Sequence, residues 1–112
     1  MSGNAFPDVT TETHEETRTR RVPPYNVILE NDDFHSFEFV VMVLCKALGY
    51  SLERSHQLTE EAHFTGQAVV WTGPKEVAEL KAEQVRSFHE VRQSDGAKLG
   101  PLDCRIEPAP GA

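Results

Sequence analysis

The stretch PPYNVILENDDFHSFEFVVMVLCKALGY, residues 23–50, decides the fold of this chain. Its first part, YNVILE (25–30), alternates its side chains between two faces and predicts a strand. The triplet NDD (31–33) then predicts a turn. Over residues 39–48 the apolar side chains recur in steps of three and one, which indicates one broad stripe of an amphipathic helix. Gly49 is expected to end that helix from its C′ position.

A second helix and a second strand follow. Ser51 is a suitable N-cap, and Glu53 favours the first helical turn because its charge complements the helix dipole. We expect this helix to run to His63, and we expect Gly66 to end it. The β-rich run QAVVWT (67–72) then predicts a short strand.

The last part of the chain predicts one more helix and one more strand. Pro74 fits the first position of a helix, which we expect to extend to about Gln93. Its expected inward side chains are Val77, Leu80, Val85 and Phe88. Residues 102–107 predict a final strand. Two helices between the first two strands indicate an α+β domain. We therefore expect a three-stranded antiparallel sheet packed against three helices, in the order β-α-α-β-α-β.

The composition narrows the class of protein. The 112 residues carry a formal net charge of −7, with 38% hydrophobic and 26% charged residues, which is typical of a soluble globular domain. The acidity argues against nucleic acid, which needs a basic face. No apolar stretch approaches the ~20 residues of a membrane span, and no signal peptide is recognisable, so we expect a cytoplasmic protein that does not bind membranes.

The two cysteines and the chain ends lead to further expectations. Cys45 and Cys104 are expected to be buried reduced thiols rather than a disulfide, and without a CxxC pair a structural zinc site has no support. Residues 1–22 are polar and cannot bury enough surface to offset the entropy of ordering, so we expect a flexible N-terminal extension. The folded core is expected at 23–108, with a frayed end at 109–112.

Four polar residues suggest a binding site, although each also has a structural interpretation. Asn31, Asp32 and Asp33 can simply form a turn, since Asn and Asp bond their own backbone. His63 can simply be a capped or partly buried residue near a helix end. Together, however, two carboxylates, an amide and an imidazole can surround an ammonium group with hydrogen-bond acceptors.

The other charged groups look like ordinary surface. The helical face that carries Glu76, Glu79 and Lys81 is, by itself, typical of a solvated surface. The remaining histidines look like tail or surface residues: His14, His35, His56 and His89.

Two enzymatic interpretations have weaker support. A metal site would need Asp32, Asp33 and His35 to bind from one tight turn, with His63 added. A nucleophilic arrangement of Cys45, His63 and an Asp lacks any motif for an activated nucleophile, since Cys45 lies in the middle of a helix. We therefore expect no enzyme, no catalytic residue, no metal and no cofactor.

Several short motifs occur here in a specific order and spacing. After the Pro-Pro junction, the strand and NDD come EFVV (38–41), Ala62-His63, Gly66, EVAE (76–79), Lys81, Pro101-Leu102, Cys104 and Glu107. From about Pro23 to Pro108 this combination resembles the ClpS family, the adaptors of the Clp protease. The resemblance implies an adaptor that binds the free α-amine and the large hydrophobic first side chain of an N-degron substrate, namely Phe, Tyr, Trp or Leu.

The resemblance also implies partners and residue roles. The partner is the N-terminal domain of a Clp AAA+ unfoldase, and the adaptor is expected to be a monomer, with residues 1–22 taking part in delivery. The positions matching the α-amine site are Asn31, Asp32, Asp33 and His63. Those matching the hydrophobic pocket are Phe37, Val40, Thr59, Ala62 and Leu102. Those matching the unfoldase-docking surface are Glu76, Glu79 and Lys81. The alternative is a regulator that docks on the unfoldase without strong degron binding.

The chain departs from the family pattern at a few positions. The family's usual Thr-Pro-Met is replaced by His35-Ser36-Phe37, so Ser36 or Asp33 is expected to cap the first helix. Phe37 and Thr59 both stand where the family has a pocket Met. Trp71 replaces a small or apolar residue, and the sequence offers no reason for it.

Overall fold

The computed structural model describes residues 22–110. Along these residues the elements follow the predicted order, and the α+β class is confirmed. Their bounds are β1 (Tyr25–Glu30), α1 (Phe37–Leu48), α2 (Leu52–Thr65), β2 (Gln67–Gly73), α3 (Lys75–Arg86) and β3 (Cys104–Pro108). The predicted N-terminal extension, apart from Val22, and residues 111–112 of the predicted frayed end lie outside the described part.

The central strand of the sheet is β1, in the order β2-β1-β3, and both pairings are antiparallel. Val27 pairs with Trp71 on one side and with Ile106 on the other. The register with β2 shifts between Val27 and Ile28, which marks a β-bulge. Since β1 has partners on both sides, the turn that follows it starts from a fixed point at the end of the sheet.

The helices pack against one face of this sheet and enclose the core. Val27 and Leu29 face that core, as the alternation predicts. Ile28 lies outside the core cluster yet is only 3% exposed, because Val69 and Arg105 flank it in the register on the opposite face. No helix within residues 22–110 is long and apolar enough to cross a membrane.

The capping residues of α1 and α2 are those that the sequence indicates. Ser36 is the N-cap of α1, and its Oγ accepts a hydrogen bond of 3.1 Å from the Phe39 N–H. Of the two candidates for this cap, Ser36 is therefore the right one. Ser51 caps α2 in the same way. Gly49 and Gly66 end the two helices with φ angles of 72° and 99°, which glycine adopts without strain.

The third helix corrects the sequence prediction in length and in orientation. It begins at Lys75, after Pro74, and ends at Arg86 rather than near Gln93. The chain then forms a tight reversal around Gly96, with a bridge between Val91 and Lys98, and these hydrogen bonds replace the predicted last helical turns.

The inward face of α3 is made largely of small side chains. Ala78, Ala82 and Val85 are buried, whereas the predicted inward residues Val77 and Leu80 are 38% and 52% exposed. Alanines let the helix lie close to the sheet, which turns the larger Val77 and Leu80 outward. Val85 is buried as predicted, and Phe88, after the helix, packs partly buried against the core.

The last strand also begins later than predicted, at Cys104 rather than Leu102. Leu102 is buried in the segment just before it, where it lines a cavity. Both cysteines are free thiols, but only Cys104 is fully buried, and Cys45 is partly exposed. The expected burial is thus confirmed for Cys104 and wrong for Cys45.

Candidate functional site

A cavity of about 260 Å³ opens where the end of β1, the start of α1, the second half of α2 and Leu102 meet. Its walls contain every residue that the sequence analysis assigned to the amine site and the hydrophobic pocket: Asn31, Asp32, Asp33, Phe37, Val40, Thr59, Ala62, His63 and Leu102. Leu29, Glu30 and His35 complete the lining. Residues from four separate parts of the chain therefore share one cavity.

Asp32 organises the turn after β1. Its Oδ1 accepts hydrogen bonds of 2.8 Å from the N–H groups of Phe34 and His35. Its Oδ2 lies 2.8 Å from His35 Nδ1. Burial raises the pKa of the Asp32 carboxyl, but these hydrogen bonds and the attraction of the His35 ring outweigh burial and lower the pKa below its usual value. Asp32 is therefore an ionised acceptor at neutral pH.

The neighbours of Asp32 on the turn are exposed at the mouth of the cavity. Asn31 and Asp33 are both solvent-exposed. The Asn31 N–H donates a 3.0 Å hydrogen bond to the carbonyl of Gly66, the residue that ends α2. The Glu30 N–H donates one of 2.9 Å to the Asp103 carbonyl, next to Leu102. These two bonds fix the turn between the end of α2 and the segment that leads into β3.

His63 lies on the exposed side of the last turns of α2. Its ring meets Phe37 edge-on, with centroids 6.4 Å apart, and also meets Phe64 at 5.1 Å. The end of α2 is closed by the Gly66 N–H, which donates to the Ala62 carbonyl. The interpretation of His63 as a structural helix cap is therefore not needed, and its ring is available at the cavity.

The apolar half of the cavity lies deeper than the polar half. Thr59, Ala62 and Leu102 are 4%, 3% and 2% exposed. Phe37, the first residue of α1, forms the side wall, with Val40 one turn later. The Ser36 N–H and hydroxyl donate to the Glu90 carboxylate at 2.9 and 2.6 Å, which ties the start of α1 to the segment after α3. The start of α1, which carries Phe37, is thus fixed in place.

His35 is the one residue of this region that the sequence analysis misjudged. It was expected at the surface, yet its side chain is only 5% exposed and stacks on Phe39, with ring centroids 5.5 Å apart. Nδ1 faces Asp32, and Nε2 lies 2.8 Å from the Gly100 carbonyl. Its position three residues after an Asp, at a helix start, could have indicated the contact with Asp32.

The predicted docking residues lie on α3, away from the cavity. Glu76 and Glu79 are exposed and one helical turn apart. Lys81 is half-buried beside the sheet, with its Nζ 6.0 Å from the centre of the Trp71 ring. The Trp71 ring in turn covers Gly73, where an added Cβ would clash with the ring. Trp71 therefore forms a platform between β2 and Lys81.

The cysteines and the acidic clusters do not form a reactive centre in this part of the chain. Cys45 Sγ donates to the Ser55 hydroxyl at 3.3 Å and lines a separate open groove of about 460 Å³ beyond Phe37. Burial raises the pKa of the Cys104 thiol to about 11, so this thiol stays protonated. Within residues 22–110 no three His, Cys, Asp or Glu side chains are grouped so that they could hold a metal ion.

Known proteins are similar to this chain over most of its length. A family model described as "ATP-dependent Clp protease adaptor protein ClpS" matches residues 20–105. A ClpS adapter protein of Nostoc sp. is 42% identical over 99 residues, which cover 88% of this chain and 95% of that protein. A ClpS adapter protein of Thermosynechococcus vestitus is 35% identical over 99 residues, covering 88% and 98%.

A solved structure has the same fold. It is Agrobacterium tumefaciens ClpS2 bound to L-phenylalaninamide, with a TM-score of 0.66 and 30% sequence identity. The match covers 78% of this chain and 98% of that one. The family model spans most of the chain, and these relatives agree with it in sequence and in structure. The chain therefore belongs to the ClpS family of ATP-dependent Clp protease adaptor proteins.

Proposed function

We propose that this adaptor binds the free α-amine and the large hydrophobic first side chain of N-degron substrates, and delivers them to a Clp AAA+ unfoldase. The observation that carries the proposal is the composition of one cavity, with acceptors at its mouth and apolar walls behind them. The Agrobacterium relative is bound to L-phenylalaninamide, a molecule with a free α-amine beside a benzyl side chain. The two halves of such a ligand match the two halves of this cavity.

The polar half suits an ammonium group, which carries three N–H donors. A carboxylate offers about four acceptor positions, and three of those of Asp32 are taken within its own turn. Asp33 is exposed at the cavity mouth, so its carboxylate is free to approach a ligand there. The Asn31 side-chain carbonyl and an unprotonated nitrogen of His63 supply the remaining acceptors. We therefore assign the main charge contact to Asp33 and give Asp32 a single remaining acceptor position.

The apolar half suits one large side chain. A volume of about 260 Å³ is below the range of typical drug-sized pockets, as expected for a site that takes a single residue. Burying a Phe or Leu side chain contributes roughly 1.5–3 kcal/mol, and each hydrogen bond to a charged group contributes roughly 1.5–3 kcal/mol. One filled pocket and three polar contacts contribute at most about 12 kcal/mol together, and the lowest estimates of the association cost, about 4 kcal/mol, leave about −8 kcal/mol, which corresponds to micromolar binding. Binding of this strength allows the adaptor to release its substrate.

Docking on the unfoldase is assigned to Glu76, Glu79 and Lys81. The two glutamates share the outer face of α3, and Lys81 lies beside Trp71 at the edge of that helix. Residues 1–22 are assigned to delivery as a flexible extension. The adaptor is assigned to the cytoplasm and to a monomeric state.

Phe37 favours a second candidate function. Its ring contacts His56 at 4.9 Å and His63 at 6.4 Å between centroids, so it stands between two neighbours at the pocket wall. If the Phe37 ring does not move aside for the first side chain of a ligand, the chain docks on the unfoldase and changes substrate choice without strong degron binding. Peptide affinity separates this candidate from the first.

Degradation of a fluorescent reporter by the Clp unfoldase and peptidase tests the proposed function. A reporter with an N-terminal Phe should be degraded faster when this chain is present, and a reporter with an N-terminal Ser should not. Glu79→Ala should abolish this stimulation while leaving affinity for a free Phe peptide unchanged, whereas Glu83→Ala, also exposed on α3, should preserve both. If the chain does not increase the degradation rate of the Phe reporter above that of the Ser reporter, the proposed delivery is contradicted.

A further inference from the structure

The buried ring of His35 joins two parts of the site that are far apart in sequence. Nδ1 lies 2.8 Å from Asp32 Oδ2, on the amine-binding turn. Nε2 lies 2.8 Å from the carbonyl of Gly100, two residues before the pocket residue Leu102. The ring is also stacked on Phe39 in the first turn of α1. One side chain thus connects the turn, the helix and the segment that carries Leu102.

Both partners of the ring are acceptors. A backbone carbonyl has only lone pairs to offer, and the Asp32 carboxylate is ionised, since its pKa is lowered. A neutral imidazole has one N–H and can satisfy only one of these two acceptors. The doubly protonated ring donates to both, through charge-assisted hydrogen bonds, which are the stronger kind.

We propose that His35 is a positioning residue that, as the imidazolium, ties the amine-binding turn to the segment carrying Leu102 and so sets the shape of the pocket. This inference rests on the proposed function for its effect on peptide binding. The neutral ring releases one of its two partners and loosens the wall at Leu102.

The ionisable or charged groups on the elements around the ring are Asp32 and Asp33 on the turn, Glu38 in α1, His89 and Glu90 after α3, and Lys98 and Asp103 near Gly100. Imidazolium at His35 compensates Asp32, which leaves Asp33 as the free carboxylate of the turn. The His35 imidazolium also repels the ammonium group of the ligand. Because the cavity mouth is exposed, water weakens this repulsion below the strength of a hydrogen bond to a charged group.

The test measures peptide affinity together with the protonation of the ring. Purified full-length chain, His35→Gln and His89→Gln are titrated with a fluorescent N-terminal Phe peptide at pH 6. His89 is the matched control, because its Nδ1 lies 2.9 Å from the carbonyl of Leu99, the residue before Gly100. Because His63 and the peptide are the same in all three titrations, the ratio of affinities isolates the effect of His35.

We expect His35→Gln to lose about tenfold in affinity, with His89→Gln close to the parent. In ¹⁵N NMR spectra of the ligand-free parent at pH 6, both nitrogens of His35 should carry protons. A ring that carries only one proton, or equal affinities of His35→Gln and the parent, overturns the inference. If the parent binds no Phe peptide, the proposed function fails, and the NMR measurement alone decides the bridge.

Discussion

The hydroxyl of Thr59 donates a 2.7 Å hydrogen bond to the main-chain carbonyl of Ser55, one turn earlier in α2. Thr59 stands where the resemblance to the family places a Met, and its hydroxyl could have made the pocket polar. Because the hydroxyl donates within its own helix, Thr59 brings no unpaired O–H donor to the cavity that it lines. The pocket is therefore wider than one lined by Met, and it remains apolar at this position.

Substitutions at Thr59 test this interpretation. Thr59→Val removes the hydrogen bond to Ser55 and should leave the affinity for an N-terminal Phe peptide within about twofold, because the lost hydroxyl donates within α2 and not to the ligand. Thr59→Met fills the pocket and should weaken binding of the largest first residue, Trp, more than binding of Leu. The measurement is fluorescence anisotropy with peptides that differ only in their first residue. If Thr59→Met leaves their ranking unchanged, position 59 does not line the pocket.

The acceptors at the cavity mouth give a second prediction. Asp33→Ala and His63→Ala should each weaken binding of the Phe peptide about tenfold or more, since each removes an acceptor for a charged donor. Neither side chain is buried in the core, so the unfolding midpoint in urea should hardly change. Glu61→Ala, an exposed acidic change on α2, is the control for net charge. A loss of folding in Asp33→Ala or His63→Ala would mean that they are structural residues.

Asp32 predicts a dependence of stability on pH. Its pKa in the folded chain is lowered from the usual 3.8, so the ionised form stabilises the fold. This contribution is fully present above the unfolded pKa and is lost as the pH falls through the lower folded value. The free energy of unfolding of the parent should therefore exceed that of Asp32→Asn by a constant amount at pH 5–7. The difference should shrink below about pH 4, as measured by urea unfolding. A difference that does not change down to pH 2.5 contradicts this role.

The close approach of Trp71 to Gly73 predicts that docking on the unfoldase can be weakened without weakening peptide binding. Gly73→Ala places a Cβ where the Trp71 ring lies, so the ring must leave its position beside Lys81. Trp71 is the only tryptophan in the sequence, and its emission should shift in this variant. Affinity for the unfoldase should fall, while affinity for the Phe peptide should not. Gly100→Ala is the control, because a Cβ there meets nothing within 4 Å. Unchanged emission in Gly73→Ala would show that the ring does not cover Gly73 in solution.

Local patterns predicted much of this fold. The alternation in β1, the caps at Ser51 and Gly66 and the glycine end of α1 depend on a few neighbouring residues, and all were predicted correctly. The end of α3 was predicted wrongly. The tight reversal around Gly96 is formed by hydrogen bonds among residues 90–99, all of which lie after the helix, so the pattern within the helix did not indicate where it ends. The orientation of α3 was also misjudged, since periodicity alone favours Val77 and Leu80 over the small Ala78 and Ala82.

The candidate site was predicted through the family resemblance more than through residue chemistry. The residues named for the amine site and the pocket lie around one cavity, which no single motif could have indicated. His35 was missed because its second partner is a backbone carbonyl 65 positions away, and sequence gives no sign of such a contact. The hydrogen bond from the Thr59 hydroxyl to the Ser55 carbonyl was also missed, because the sequence does not show whether this hydroxyl bonds within its own helix or to a group in the pocket.

We propose that the cavity holds a free α-amine and a large apolar side chain together. The most direct measurement compares two fluorescent peptides that begin with Phe and differ only in acetylation of the α-amine. The free peptide should bind with a dissociation constant of about 1 μM, and the acetylated peptide should bind at least about a hundredfold more weakly, because it has lost its charge and two of its donors. Equal binding of the two peptides would contradict the account.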